Sequence, residues 1–449
     1  MDRVSFYNIQ GAAGQAGDGF FIGRFRSDTD STDARAVALN TDHEIYIGGT
    51  ANDGSAYAVA FKLDGGGSEK WTKASTSIDY YIGAQVDATD EDRVYFVGGD
   101  SGEFYCARHN ATNGDIVWDL NRTRSGVSAQ CAHLGSGGDD RLCIAGWSGG
   151  SDFEGQLGDV TLWVVDVSSN TAGANNDNFA VGSGAHDGRV GNTIAQFSDN
   201  SSMVFMAGYN QHGDSSDKLV ICENGGTTRN RTIAFSDAGG TPGSLAVDTQ
   251  AGPVYGMYNE WNTNTTFVFK ISPFGGGYSI NWGQRVGNQS GGNQISFRGT
   301  MKLYDTSNSK LLCAVEDQSG NDAVHIYSLN TSDGSLDWER RLSSSTGNLS
   351  CESLVIDPVD QEYFVIVGTD TSTSNSALVC KLPIDGSGTG TYGDITYGTS
   401  GTHGISGKTI STVSRSVSNT TTNWGTGATP GYSLTDKTLS EIQLDTVNP

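Results

Sequence analysis

Residues 45–71 read IYIGGTANDGSAYAVAFKLDGGGSEKW and contain the pattern that decides the fold. A short apolar run ends at Gly48-Gly49, a polar turn leads into a second apolar run at 57–63, and a Gly-rich turn precedes Trp71. Apolar runs that stop at one or two small residues recur roughly every 50 residues, which is the length of a repeat of four short strands. Such runs occupy residues 45–49, 94–99, 142–146, 204–208, 254–257, 311–314 and 364–368.

This period predicts an all-β chain folded as a β-propeller, because a twisted four-stranded sheet buries both faces only when further sheets stack around an axis. We expect seven blades, with the YIGG-like strand second in each. The blades are predicted to begin near residues 34, 84, 129, 193, 244, 297 and 352. A tandem array of sandwiches is the alternative, but a sandwich domain needs roughly 100 residues.

A tryptophan recurs at one point of the repeat, where a Gly-containing turn leads into the last strand. A large flat ring at that point would fill the wedge between adjacent sheets. The residues predicted to hold this blade-packing position are Trp71, Trp118, Trp282 and Trp338.

Composition supports many tight hairpins, because the 449 residues include 62 Gly but only 7 Pro. We predict that residues 1–33 close the ring or dock on it, that 34–398 form the propeller, and that 399–449 form a Ser- and Thr-rich β-like tail. An eighth blade built from both termini is the alternative to seven.

Charge and cysteine content narrow the class of partner. The formal net charge is −24 with only 27 basic residues, which disfavours nucleic acid. No apolar run approaches the roughly 18 residues of a membrane-spanning helix, and the start of the chain has no leader-like segment. The seven Cys are odd in number and lack CxxC spacing, so neither a disulfide framework nor a zinc site is expected.

Catalytic and metal-binding patterns are missing from the sequence. Asp-rich turns at 28–33, 87–92 and 139–140 are typical of turn capping, with a calcium loop as the alternative for the first. No His pair has metal-ligand spacing, and no GxSxG, Walker or HExxH motif occurs. We therefore expect no enzyme activity and no cofactor.

Three aromatic residues are the predicted contacts with partners. Residues 148–159, 170–184 and 210–217 read as long loops on one rim of the ring. Aromatic side chains in exposed loops provide contact area at low entropic cost. The predicted interface residues are Trp147, Phe153 and Tyr209.

Residues 45–71 resemble a bacterial β-propeller repeat of the YVxG…KLD…GxxxW type. NGDIVW (113–118) and DGSLDW (333–338) are similar to the end of quinoprotein-type blades, a class that implies a quinone, calcium and a pair of adjacent Cys. No two Cys are adjacent in this chain.

In composition and architecture the chain also resembles the propeller-bearing structural proteins of tailed, especially marine, bacteriophage virions. That resemblance implies a non-enzymatic structural or attachment component, made in the host cytoplasm and located in the virion. Its partners would be other virion proteins or copies of itself in a symmetric assembly, with a cell-surface glycan as a further candidate ligand. A cytoplasmic or exported protein-interaction scaffold and a glycan-binding propeller remain the alternatives.

Overall fold

The computed structural model describes most of residues 19–447. The segments outside the described residues are 1–18, 101, 124–126, 135–140, 149–158, 168–170, 182–186, 197–202, 211–217, 225–230, 236–239, 249–251, 261–264, 273–278, 287–294, 306, 318–321, 373–374, 400–405, 408–411, 414–416, 422–432 and 448–449.

The described part of the chain contains strands and turns but no helix. The strand β1 (Phe20–Ser27) comes first, and groups of consecutive strands, here called units, follow it. Unit 1 contains β2 (Ser31–Leu39), β3 (Ile45–Asn52), β4 (Ala56–Leu63) and β5 (Glu69–Ser75). Unit 2 contains β6 (Tyr80–Val86), β7 (Arg93–Gly99), β8 (Glu103–Asn110) and β9 (Ile116–Thr123). Unit 3 contains β10 (Val127–Leu134), β11 (Arg141–Ser148), β12 (Asp159–Asp166) and β13 (Thr171–Val181).

The second half of the chain continues in the same way. Unit 4 contains β14 (Asp187–Gln196), β15 (Met203–Asn210), β16 (Lys218–Asn224) and β17 (Arg231–Phe235). Unit 5 contains β18 (Gly240–Val247), β19 (Val254–Glu260), β20 (Thr265–Ser272) and β21 (Ser279–Val286). Unit 6 contains β22 (Ile295–Tyr304), β23 (Lys310–Asp317), β24 (Ala323–Asn330) and β25 (Leu336–Ser344). Unit 7 contains β26 (Ser353–Ile356), β27 (Tyr363–Asp370) and β28 (Ser376–Pro383).

Short strands occupy the rest of the described chain. They are β29 (Gly390–Tyr392), β30 (Ile395–Gly398), β31 (Ser406–Gly407), β32 (Thr412–Val413), β33 (Val417–Thr421), β34 (Thr435–Asp436) and β35 (Leu439–Val447).

Each unit is an antiparallel sheet in which consecutive strands pair. Units 2 and 3 are joined into one longer sheet by a single parallel pair, Ser128 with Glu103. The first strand of each unit lies against the first strand of the next, and β26 of unit 7 lies against β2 of unit 1. The units therefore form a closed ring with the first strands innermost, as in a β-propeller. The pairing supports seven blades, and the blade number stays a prediction.

Small residues at the end of each second strand have a packing cause. In unit 1 the register of β2 against β3 shifts between Ala34 and Ala36, so β2 bulges toward its neighbour. A Cβ atom added at Gly49 would lie 1.9 Å from the carbonyl oxygen of Asp33. Gly98 of unit 2 faces the carbonyl oxygen of Tyr80 in the same way, at 1.8 Å. The repeated glycine therefore marks the place where the two backbones approach most closely.

The core lies between the units, because alternate side chains of each strand point to opposite faces of its sheet. Ile47 and Phe61 belong to a buried cluster with Val365 of unit 7. Tyr46, from the same strand as Ile47, belongs to a different cluster, with Phe96 of unit 2. Each sheet therefore needs a neighbour on both faces, which is the physical reason for the ring.

Both ends of the described chain pair with the ring. The strand β1 pairs antiparallel with β28 and so takes the fourth position in unit 7. On its other side β1 pairs with β35 along nearly its whole length. Residues 1–18, the first part of the segment predicted to close the ring or dock on it, lie outside the described residues.

The chain after unit 7 adds outer strands to other units. The strand β30 pairs with β25 of unit 6, β31 with β21 of unit 5, β32 with β17 of unit 4, β33 with β13 of unit 3, β34 with β5 of unit 1, and β35 with β1 of unit 7. We call β30 to β35 the belt. Where the sequence indicated a separate tail over 399–449, the described strands of this segment run around the ring, opposite to the order of the units.

Candidate functional site

The seam between units 1 and 2 is built around Trp71. Its indole nitrogen donates a hydrogen bond of 3.0 Å to the carbonyl oxygen of Ala111, in the turn between β8 and β9. The ammonium group of Lys62 donates to the same oxygen at 3.0 Å. Gly114 of that turn has a φ of 76°, and an added Cβ would lie 2.6 Å from the indole ring. Trp71 thus holds the neighbouring unit by a hydrogen bond and by close packing on a residue without a side chain.

The same contact recurs between units 5 and 6. The Trp282 indole nitrogen donates to the carbonyl oxygen of Thr331 at 3.0 Å, and Lys270 donates to that oxygen at 2.8 Å. Gly334, with a φ of 74°, lies against the indole ring as Gly114 lies against Trp71. Two units far apart in sequence therefore use one clamp of tryptophan, lysine, carbonyl and glycine.

The other two predicted packing tryptophans lie in the same strand of their units. Trp338 stacks on Phe364 of unit 7 with the ring centroids 6.4 Å apart, and Gly386 lies against its indole. Trp118 is only 8% exposed and packs in a cluster with Trp163 of unit 3. These contacts support the packing role predicted for all four tryptophans.

Turns between the first and second strands are linked from unit to unit on one face of the ring. The backbone N–H of Thr41 in unit 1 donates to a carboxylate oxygen of Glu91 in unit 2 at 3.0 Å. Asn308 of unit 6 donates to a carboxylate oxygen of Asp248 in unit 5 at 2.6 Å. Direct hydrogen bonds between neighbouring turns therefore join adjacent units in addition to the tryptophan contacts.

The Asp-rich turns use their carboxylates within the protein. Asp87 accepts a hydrogen bond of 2.8 Å from the backbone N–H of Thr89. Asp305, in the separate turn between β22 and β23, also bonds within the protein: hydrogen bonds from Ser309 and from Ser307 lower its pKa to about 2. Residues 139–140 lie outside the described residues. In the described part of the chain, no group of three His, Cys, Asp or Glu could hold a metal ion.

A buried ion pair network links β1 to unit 7 and to the segment before β30. The guanidinium of Arg24 on β1 lies 2.5 Å from Asp370 of β27 and 2.6 Å from Asp394, which precedes β30. Burial alone would raise the pKa of Asp394, but hydrogen bonds from Arg24 and Thr346 hold it at about 2. Arg24 therefore links the N-terminal strand to unit 7 and to the start of the belt.

The other end of the belt is held at Asp28, the residue after β1. Lys437 lies 2.9 Å from a carboxylate oxygen of Asp28, and this hydrogen bond lowers the pKa of Asp28. Thr438 donates its backbone N–H to Asp28 at 3.0 Å. Leu439 and Val447, at the two ends of β35, are both buried. The final strand is thus fixed by charge at its entry and by apolar burial at its two ends.

Two of the three predicted interface residues lie in strands of the described chain. Trp147 lies in β11 opposite Ser128, and Tyr209 lies in β15 opposite Gly188, so the prediction that both lie in loops is wrong. The predicted loop at 170–184 contains β13, because its alternating residues complete the fourth strand of unit 3. Phe153 lies outside the described residues.

A closed ring of radially arranged antiparallel sheets, joined by tryptophan clamps at its seams, defines the chain as a β-propeller protein. No protein-family model matches the chain, and no curated protein sequence matches it. Among the elements that the structure describes, no helix is long and apolar enough to cross a membrane.

Solved structures similar to the chain include two propellers or propeller-containing assemblies and an enzyme. The Dos1 propeller is 12% identical over 81% of this chain and 96% of that chain, with a TM-score of 0.45. A chain of the COPII outer coat vertex is 13% identical over 78% and 84%, with a TM-score of 0.49. The Pyrococcus horikoshii acylaminoacyl peptidase is 8% identical over 78% and 52%, with a TM-score of 0.43. These similarities concern the fold alone.

Proposed function

We propose that this chain is a non-enzymatic structural or attachment component of a bacteriophage virion, acting through protein–protein contacts. The observation that carries the proposal is the belt. A segment of about 50 residues is used to pair with the outer edges of units 6, 5, 4, 3, 1 and 7 in turn. Pairing of this extent favours a module selected to stay folded under mechanical and chemical stress.

The belt changes the outer wall of the ring in two ways. An outermost blade strand presents unpaired backbone N–H and C=O groups, which invite uncontrolled pairing with other chains. The belt strands satisfy part of those groups in each of the units that they reach. The belt also fixes one chain end against the other through β35 and β1. A particle component that must stay folded outside a cell benefits from both effects.

The charge of the chain is consistent with the same role. A net charge of −24 keeps copies apart while they are free. Salt at a level near 1 M shortens the range of that repulsion to about 3 Å, so close packing of copies is then tolerated. Contacts between proteins in the particle would therefore depend on fitted local surfaces rather than on overall charge.

The test is to locate the chain in its source. Purified virus particles should contain it at a fixed copy number, measured by mass spectrometry with labelled peptide standards, and negative-stain imaging with a specific antibody should place it at one position. Recovery of the chain only as a free monomer, or turnover of a sugar or alcohol by the purified protein, would contradict the proposal.

A second arm tests the predicted contacts. Replacing Phe153 and Tyr209 by Ser should leave the circular dichroism spectrum and melting temperature near those of the parent and reduce incorporation into particles. Exposed Val359→Ala on another turn provides the matched control. If the parent, the variant with both replacements and the Val359→Ala control are incorporated equally, this rim is excluded as the interface.

A further inference from the structure

A cavity of about 170 Å³ lies at the inner side of the ring between four consecutive units. Its walls are the first strands β22, β26, β2 and β6. Polar residues contribute to the lining alongside alanine and valine, and they are Gln85, Thr300, Lys302, Glu352 and Ser353. Pockets for drug-sized ligands have about 300–1,000 Å³, so this cavity suits a small polar species.

Lys302 differs from the other lysines whose side chains the structure describes. Each of the others donates to a carboxylate, amide or carbonyl oxygen, and they are Lys62, Lys70, Lys73, Lys270, Lys310, Lys381 and Lys437. Lys302 has no such acceptor in the described part of the chain. Burial lowers the pKa of its ammonium group.

Thr300 adds a second polar group on the same side of the strand. It lies two residues before Lys302 in β22, so both side chains project from one face of the sheet. Thr300 is only 4% exposed, and its hydroxyl has no hydrogen-bond partner in the part of the chain that the structure describes. Glu352, which lines the cavity from the residue before β26, has an interaction of its own.

We propose that the axial cavity is a binding site for a small oxyanion such as inorganic phosphate, held by the ammonium group of Lys302 and the hydroxyl of Thr300. A partly buried cation that has no ion-pair partner among the described residues is costly, and an anion in the cavity offsets that cost. An amine and a hydroxyl on one wall supply a charge-assisted and a neutral donor. This site is independent of the proposed place in a virion.

Calorimetric titration with inorganic phosphate tests the site, at pH 6.5 and at an ionic strength kept constant with chloride. The parent should bind one phosphate per chain. Lys302→Met should weaken binding at least tenfold, because it removes the charge but keeps most of the stem, and Thr300→Val should weaken it several-fold. Lys70→Met is the matched control, because Lys70 is an exposed lysine paired with Asp64. The affinity of this variant for phosphate should equal that of the parent.

The outcomes separate clearly. No phosphate binding by the parent, or equal binding by the parent and Lys302→Met, overturns the proposal. Tight, Lys302-dependent binding of adenosine triphosphate would also overturn it, because a nucleotide exceeds the cavity. If Lys302→Met does not fold, Thr300→Val and carbon-13 NMR of the parent with methylated lysines decide: phosphate must move the Lys302 signal, and an unchanged signal contradicts the site.

Discussion

Replacing Trp71 by Ala should cost about 3–5 kcal/mol of stability, and the structure explains most of that cost as lost packing. Burial of an aromatic side chain removes about 150–250 Å² from water, which at about 25 cal/mol per Å² gives about 4–6 kcal/mol. Trp71 is 7% exposed, so it carries nearly all of this burial. The carbonyl oxygen of Ala111 keeps its bond from Lys62 in the variant. The lost indole hydrogen bond therefore adds little.

Trp282→Ala is the internal replicate, because its hydrogen-bond distance and its contact with glycine match those of Trp71. The two variants should lose similar stability in urea unfolding followed by far-UV circular dichroism, and Val117→Ala, at a side chain that is 51% exposed, should lose less than about 0.5 kcal/mol. A Trp71 variant that unfolds with the parent would refute the clamp. Strongly unequal losses at the two sites would refute their equivalence.

Three further predictions concern other parts of the ring. Gly114→Ala should lower the melting temperature far more than Gly54→Ala. Both glycines have a positive φ, but only Gly114 has an indole within 3 Å of the new Cβ. Equal losses of stability in the two variants would show that backbone strain alone explains the effect. Burial lowers the pKa of His109 to about 4 from 6.5. As the pH falls, the unfolded chain therefore takes up the proton before the folded chain does. The contribution of His109 to the free energy of unfolding is full above pH 6.5 and falls by about 1.4 kcal/mol per pH unit toward pH 4. His109→Phe should flatten that part of the melting temperature profile relative to the parent, and parallel profiles would contradict the assignment. Deleting residues 439–447 should cost several kcal/mol, roughly 1.5–3 for each aliphatic side chain that it exposes, whereas Glu441→Gln on the exposed side of the same strand should be neutral; a deletion variant that melts like the parent would show that β35 contributes nothing.

The sequence predicted the repeat well because its signals are local. The first strands begin at residues 31, 80, 127, 187, 240, 295 and 353, each within six residues of its predicted start. The glycines after the second strands were readable because a bulge requires a residue without a side chain at one fixed point, as at Gly49 and Gly98. Hydrophobic alternation, turns and the tryptophan position all repeat with the same period.

The belt could not be predicted, because it is held by backbone pairing with distant strands. Three of its strands, β31, β32 and β34, have two residues each. A strand of that length has no alternation to detect, and its partner lies more than 100 residues away for β31 and more than 300 for β34. The sequence showed only a polar segment rich in Ser and Thr.

Only some of the residues that form the seams could be predicted from the sequence. Trp71 and Trp282 stood out because an indole is rare, but Lys62 and Lys270, which pair directly across the strands from them, were missed. A lysine inside an apolar strand, repeated in two units before a tryptophan, was the available signal. Lys302 in the run MKLY carried the same kind of signal without a repeat.

The ring closes where the ends of the chain meet, a place where a protein would ordinarily begin to fray. Opening it between units 7 and 1 would separate the cluster that contains Ile47 and Val365 and break the contact between the Nδ1 atom of His43 and the hydroxyl of Tyr363, which are 2.9 Å apart. Releasing β1 would in addition break its pairing with β28 on one side and β35 on the other, together with the ion pairs of Arg24. Because β35 is the end of the belt, and the belt is paired with the opposite side of the ring, loss of the closure also frees outer strands of other units. The contacts at the junction are therefore coupled to the rest of the ring, and we infer that the ring unfolds as one cooperative unit rather than blade by blade from its ends.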